Sequence, residues 1–166
     1  MEGAPPRWLR AAATALLAVW GVAILRDPGH TVLHLVILPI HEAGHIFFTP
    51  LGEFAHFLGG SLFQVAFPVA FIVYFWRQKD RWAATIPLWF TGVSAADLSV
   101  YIKDAHSGDL ELIGGEHDWS WILSRLTLVH RDQEIGQAVF LFGLLCIVAA
   151  VWLGLYWLPK REASAA

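Results

Sequence analysis

The sequence predicts an all-α membrane protein, a polytopic bundle of about five membrane segments plus a short interfacial or re-entrant helix. Three observations carry this expectation. Of 166 residues, 57% are hydrophobic and only 15% charged, against about 25% charged in an average soluble domain, and the mean hydropathy is +0.54. The apolar residues fall in runs near membrane length, separated by short stretches rich in Pro, Gly or charge. Among the nine Trp, Trp8, Trp76, Trp82, Trp119, Trp121 and Trp157 stand near segment ends, where indole rings anchor at the bilayer interface. The length suits one integral membrane domain over residues 1–166, with no separate soluble domain.

The elements follow in order. A short basic leader carries Arg7 and Arg10, and residues 11–25 form the first apolar segment. A cleavable signal peptide is the alternative there, but Leu25-Arg26-Asp27-Pro28 lacks the small-x-small cleavage pattern, which favours an uncleaved anchor. The second segment, residues 31–49, holds Pro39, which removes a backbone donor and should kink the helix. Residues 51–60 read as a linker ending in Gly59-Gly60, and residues 61–76 as the third segment, with Pro68 inside. The basic loop Arg77-Gln78-Lys79-Asp80-Arg81 leads to the fourth segment, residues 82–102, in which Asp97, Tyr101 and Asp104 share one helical face. Residues 103–118 make the one substantial polar loop. Residues 119–130 are too short to span as a helix and have Trp119, Ile122, Leu126 and Val129 on one face, so they read as the amphipathic helix, with Asp118 as its N-cap. Residues 137–158 form the last span, closed by Pro159-Lys160-Arg161.

Basic residues before position 11, at 77–81 and at 160–161 should all lie on the cytoplasmic side. Three apolar segments separate the first two clusters, so one segment must be re-entrant or the loop 77–81 must break the rule. A net charge of −3 without a basic run gives no support to nucleic-acid binding, and the single Cys146 forms no internal disulfide. The expected surroundings are the lipid bilayer, as a multi-pass protein of the cell membrane.

Within the second segment stands Ile40-His41-Glu42-Ala43-Gly44-His45-Ile46. Residues four apart lie on one helical face, so His41 and His45 can point their imidazoles at one metal ion, while Glu42 reaches a water on that ion as general base. With eight His and seven Glu in the chain, random order would give His-Glu-x-x-His roughly 0.02 times, so the match is informative. Ionisable groups at membrane depth are also costly and usually functional. The chemistry implied is Zn2+-assisted hydrolysis. His34, seven residues before His41, is either a supporting partner or a core histidine, the latter preferred.

A catalytic zinc site needs a third protein ligand, and Phe48 and Leu51 stand where the extended soluble pattern places Gly and His. Asp97 is the first candidate, a carboxylate deep in an apolar segment that would offset part of the metal's charge. His117, beside Gly114-Gly115, is the second; Asp104 is the third, and Glu111 and Glu116 follow. Gln64 or Tyr101 could steady an oxyanion, and Gly59-Gly60 either admits an extended substrate backbone or forms a turn.

These residues resemble the site-2 protease family of intramembrane zinc metalloproteases: HEAGH on an apolar helix, a glycine-containing entry LGGSLFQ, and a later membrane Asp. The resemblance covers roughly residues 31–104 and implies zinc held by His41, His45 and, by position, Asp97, with Glu42 as base. The family's usual surround of that Asp is replaced by Ser-Ala-Ala-Asp-Leu-Ser, and its Gly-Pro-x-x-Asn entry by Gly59-Gly60-Ser61-Leu62-Phe63-Gln64, as in a distant or minimal member. The expected function is an intramembrane zinc metallopeptidase cutting a membrane-anchored protein substrate. The alternative is an inactive metal-binding membrane protein acting as a partner or assembly factor. A small transporter is disfavoured because the ionisable residues concentrate around 41–45 and 97–118 instead of spreading along several helices.

Overall fold

The computed structural model describes residues 5–111 and 116–158; Gly114-Gly115 and Pro159-Lys160-Arg161 lie outside the described residues. The described residues contain no strands and form six α-helices: α1 (Arg7–Arg26), α2 (His34–Phe48), α3 (Glu53–Arg77), α4 (Thr85–Lys103), α5 (Asp118–Arg125) and α6 (Asp132–Tyr156).

Helix α4 runs through the middle. Its Val93, Ala95, Ala96 and Ile102 are wholly buried, and Thr91, Ser94 and Ser99 nearly so, because α4 is enclosed by α1, α3 and α6. In a bilayer, helices associate through close packing, and small residues permit it. A methyl group on Gly92 would come within 2.6 Å of the Gly143 carbonyl oxygen, and one on Gly143 within 2.7 Å of the Gly92 carbonyl, so α4 and α6 meet backbone to backbone. Helix α1 leans on this pair: the Trp89 indole donates to the Leu17 carbonyl at 2.9 Å, and Ile24, Ile37, Trp89, Val93, Ile147 and Ala150 form one buried cluster.

Helices α2 and α3 form an antiparallel hairpin joined by the turn Thr49–Leu51 and by Gly52, whose φ of +101° suits glycine. Here the structure corrects the expected linker at 51–60: α3 already starts at Glu53, and Gly59-Gly60 is the face on which α2 rests. A methyl on Gly44 would stand 2.4 Å from the Gly59 carbonyl oxygen, so only glycine lets the two backbones approach this closely. Helix α2 is continuous through Pro39. The amphipathic helix is shorter than expected, ending at Arg125, and it lies on the first turns of α3 through a Phe57–Trp121 stack with centroids 4.3 Å apart.

Among the described residues three helices are long and apolar enough to cross a membrane: α1, α3, and α6 with the turn before it. The expectation of about five such segments exceeds this. Helix α2 has 15 residues, about 22 Å at 1.5 Å per residue, short of a ~30 Å hydrocarbon core. Helix α4 is long enough, but Thr91, Ser94, Asp97 and Ser99 interrupt its apolar character.

Contacts fix which helix ends lie together. Arg10 at the start of α1 reaches Asp80 between α3 and α4 at 3.6 Å and stacks over Trp82, while Trp76 at the end of α3 meets Trp157 after α6. That is one pole of the bundle. At the other, the Lys103 ammonium donates to Gln137 at 2.9 Å and the His106 backbone N–H to Asp132 at 3.3 Å.

Candidate metal centre

Ile37, His41 and Gly44 make the buried face of α2, a helical stripe that sets both motif histidines against α3. Their rings stand edge to face, centroids 4.8 Å apart. His41 is 6% exposed and the His45 side chain 12%. Each ring is oriented by an acceptor on its Nδ1. The His41 Nδ1–H donates to Gln64 Oε1 at 2.9 Å, and the His45 Nδ1–H to the His56 carbonyl at 2.8 Å. The Gln64 orientation is not arbitrary, because its amide nitrogen donates to the Ser94 carbonyl at 2.9 Å and to Asp97 Oδ2 at 3.2 Å, which turns Oε1 towards His41 Nδ1. With both Nδ1 atoms protonated, the neutral rings present Nε2 lone pairs.

Both lone pairs converge on Asp118. Its Oδ2 lies 3.0 Å from His41 Nε2 and 3.2 Å from His45 Nε2. Three acceptors facing one another with no donor between them repel unless positive charge joins them. Two imidazolium rings sharing one carboxylate would leave a net charge in a buried place, which is expensive. A divalent cation removes the conflict. Ligands about 2.0–2.1 Å from a tetrahedral zinc stand about 3.3 Å apart, close to the separations here, and two imidazoles with a carboxylate are an ordinary catalytic zinc set. The space beside the rings belongs to Gly60, where a methyl would fall 2.5 and 2.6 Å from the two Nε2 atoms.

Glu42 is exposed on the cavity side of α2, with a carboxylate oxygen within 4.8 Å of a ring nitrogen of His41 and His45. It lies beside the ligand set, where a proton acceptor belongs. The cavity has a volume of about 520 Å³ and is lined by both histidines, Glu42, Gln64, Tyr101 and Asp118, with Glu111 and Glu116 towards the loop. That volume suits a small ligand or a short stretch of peptide.

The other expected ligands lie elsewhere. Asp97 Oδ1 pairs with His34 Nδ1 at 2.8 Å and its Oδ2 with Gln64, so it touches His41 only through that glutamine. His34 is thus a partner of Asp97, with its side chain 46% exposed, and not a core residue. His117 is the N-cap of α5, its Nδ1 accepting the Ser120 N–H at 3.3 Å, the role expected of Asp118. Its ring stacks on Tyr101 and its Nε2 faces Asp104 at 3.3 Å. Asp104 folds the loop by accepting from Ser107, Asp109 and Leu110. Gln64 has both ends engaged, and Tyr101 Oη accepts the Asp118 N–H at 3.0 Å, so both brace ligands. The residue that sequence reasoning missed is Asp118, one position after the histidine it singled out. In sequence an Asp opening a helix reads as its N-cap, and only the structure gives that role to His117.

Comparison with protein-family models finds no match, and comparisons with curated proteins and with solved structures find none either.

Proposed function

We propose that this chain is a multi-pass zinc metallopeptidase of the cell membrane, hydrolysing a peptide bond in a membrane-anchored protein. The observation that supports it best is the convergence of His41 Nε2, His45 Nε2 and Asp118 Oδ2 at 3.0–3.2 Å beside Glu42 in one cavity. The HEAGH resemblance to site-2 proteases points the same way, with Asp118 in place of Asp97 as the carboxylate ligand.

His41, His45 and Asp118 would hold the ion, leaving an open position, as a hydrolytic site requires. When bound, zinc supplies Lewis-acid polarisation of the scissile carbonyl and makes water acidic enough to attack it near neutral pH. Gln64 and the His56 carbonyl hold the two rings in the tautomer that offers Nε2. Glu42 takes the proton from the attacking water and passes it to the leaving amine nitrogen. The missing side chain at Gly60 leaves room for the two imidazoles themselves, which a methyl there would displace.

Glu42→Gln in detergent-purified protein should retain about one zinc per chain and lose peptide cleavage, whereas His41→Ala should lose the metal. Cleavage by Glu42→Gln at the parent rate removes the catalytic assignment. Zinc in the parent without cleavage of any membrane-anchored substrate leaves the metal-holding partner protein.

A further inference from the structure

We infer that the metal cavity opens on the non-cytoplasmic face, so that the substrate is the outer, juxtamembrane segment of a membrane-anchored protein. The inference rests on the peptidase reading for its substrate, but its geometry stands apart from catalysis.

The chain's two poles differ in what they carry. Arg7, Arg10, Arg77, Lys79 and Arg81 belong to the pole tied together by Arg10–Asp80, Arg10–Trp82 and Trp76–Trp157. Lys160 and Arg161 follow three and four residues after Trp157 in the sequence. Opposite them stand Arg26, Lys103, Arg125 and Arg131. Lys and Arg near membrane segments orient a chain with the richer side in the cytoplasm.

The sequence alone set this rule against itself, because three apolar segments separate Arg10 from Arg77. The fold removes the conflict. Helix α2 lies only beside the first half of α3: His41 faces Gln64 and Gly60, His45 faces His56, and Phe48 meets Gly59. It therefore adds no return to the basic pole, and α1 leads away from that pole while α3 leads back. Helices α4 and α6 repeat the excursion.

The cavity lies in the outer half of this arrangement. Asp97 is about 18 Å from the start of α4 at the basic pole and about 9 Å from its far end, at 1.5 Å per residue. The ligand Asp118 and the cavity residues Leu110, Glu111 and Glu116 all come from the loop and helix beyond that far end.

The test uses single-cysteine variants of the full chain in intact cells, in a Cys146→Ala background, with a membrane-impermeant maleimide as probe. Asp109→Cys sits on the exposed loop, Leu110→Cys lines the cavity at 41% exposure, and Gln78→Cys lies exposed at the basic pole. Asp109→Cys and Leu110→Cys should label in intact cells, and Gln78→Cys only after permeabilisation, with at least a tenfold contrast. The reverse pattern, equal labelling of all three, or labelling of Asp109→Cys without Leu110→Cys overturns the inference. Glu42→Gln added to each variant should leave labelling unchanged, so a failed orientation and a failed peptidase reading are told apart.

Discussion

At the scale of single residues, the proposed chemistry turns on which carboxylate meets the two histidines. Asp118 and Asp97 are both buried carboxylates within one hydrogen-bonded system, but only Asp118 meets the Nε2 atoms. Asp118→Ala should therefore abolish zinc binding as fully as His41→Ala. Asp97→Ala should keep the metal with affinity lower by about 10–100-fold, since it supports Gln64 and through it His41. Zinc titration of the purified variants checks both, and full loss in Asp97→Ala with retention in Asp118→Ala would reverse the assignment. Gly60→Ala tests the space beside the rings. A methyl 2.5–2.6 Å from both Nε2 atoms must displace them, so zinc content should fall while helicity by circular dichroism stays at the parent level. The motif residues His41, Glu42 and His45 were legible in sequence because a fixed spacing on one helix implies a shared face. Asp118 was not, because its meeting with them spans 77 residues from His41 and depends on where a loop sets down a short helix.

At the scale of elements, α5 carries the Asp118 carboxylate to the α2 histidines. Trp119 donates to Ser61 at 3.0 Å, Trp121 stacks on Phe57, and Tyr101 accepts the Asp118 N–H, so α5 is seated on α3 and α4 before any ion is held. The loop turns around Asp104. Burial pushes this carboxyl up, but the Asp109 N–H, the Ser107 hydroxyl and the Leu110 N–H outweigh it and hold it below the ordinary 3.8. A lowered folded value means that the stabilisation is fully present above 3.8 and fades as the pH falls through the folded value. Amide protection at Asp109 and Leu110 should accordingly hold from neutral pH down to that region and then decline. In Asp104→Asn it should be low at every pH. The amphipathic helix was legible from its apolar stripe, but its seat was not, since a stripe states that a face is covered and not by what. The same limit applied to Gly59-Gly60. As a sequence it reads as a place for an extended substrate backbone or as a turn, and only the partner helix shows that it is a packing face.

At the scale of the whole molecule, two close crossings hold the bundle: α2 on α3 through Gly44 and Gly59, and α4 on α6 through Gly92 and Gly143. Gly143→Leu places its first side-chain carbon against the Gly92 carbonyl and the Ala96 backbone nitrogen, neither of which can swing aside. Overpacking of this kind costs about 1–3 kcal/mol, and here more, because backbone must separate from backbone. The variant should lose its monodisperse peak in detergent and unfold at lower temperature, whereas Leu145→Ala, on an exposed face of α6, should behave as the parent. By itself the sequence determined an all-helical chain of membrane composition, the histidine pair and its glutamate, because these follow from composition and from spacing along one helix. Which carboxylate faces the two histidines, and that α2 lies beside only the first half of α3, were decided only by tertiary structure. Both depend on where separate helices lie side by side, and close packing of small residues leaves no periodic trace along the chain.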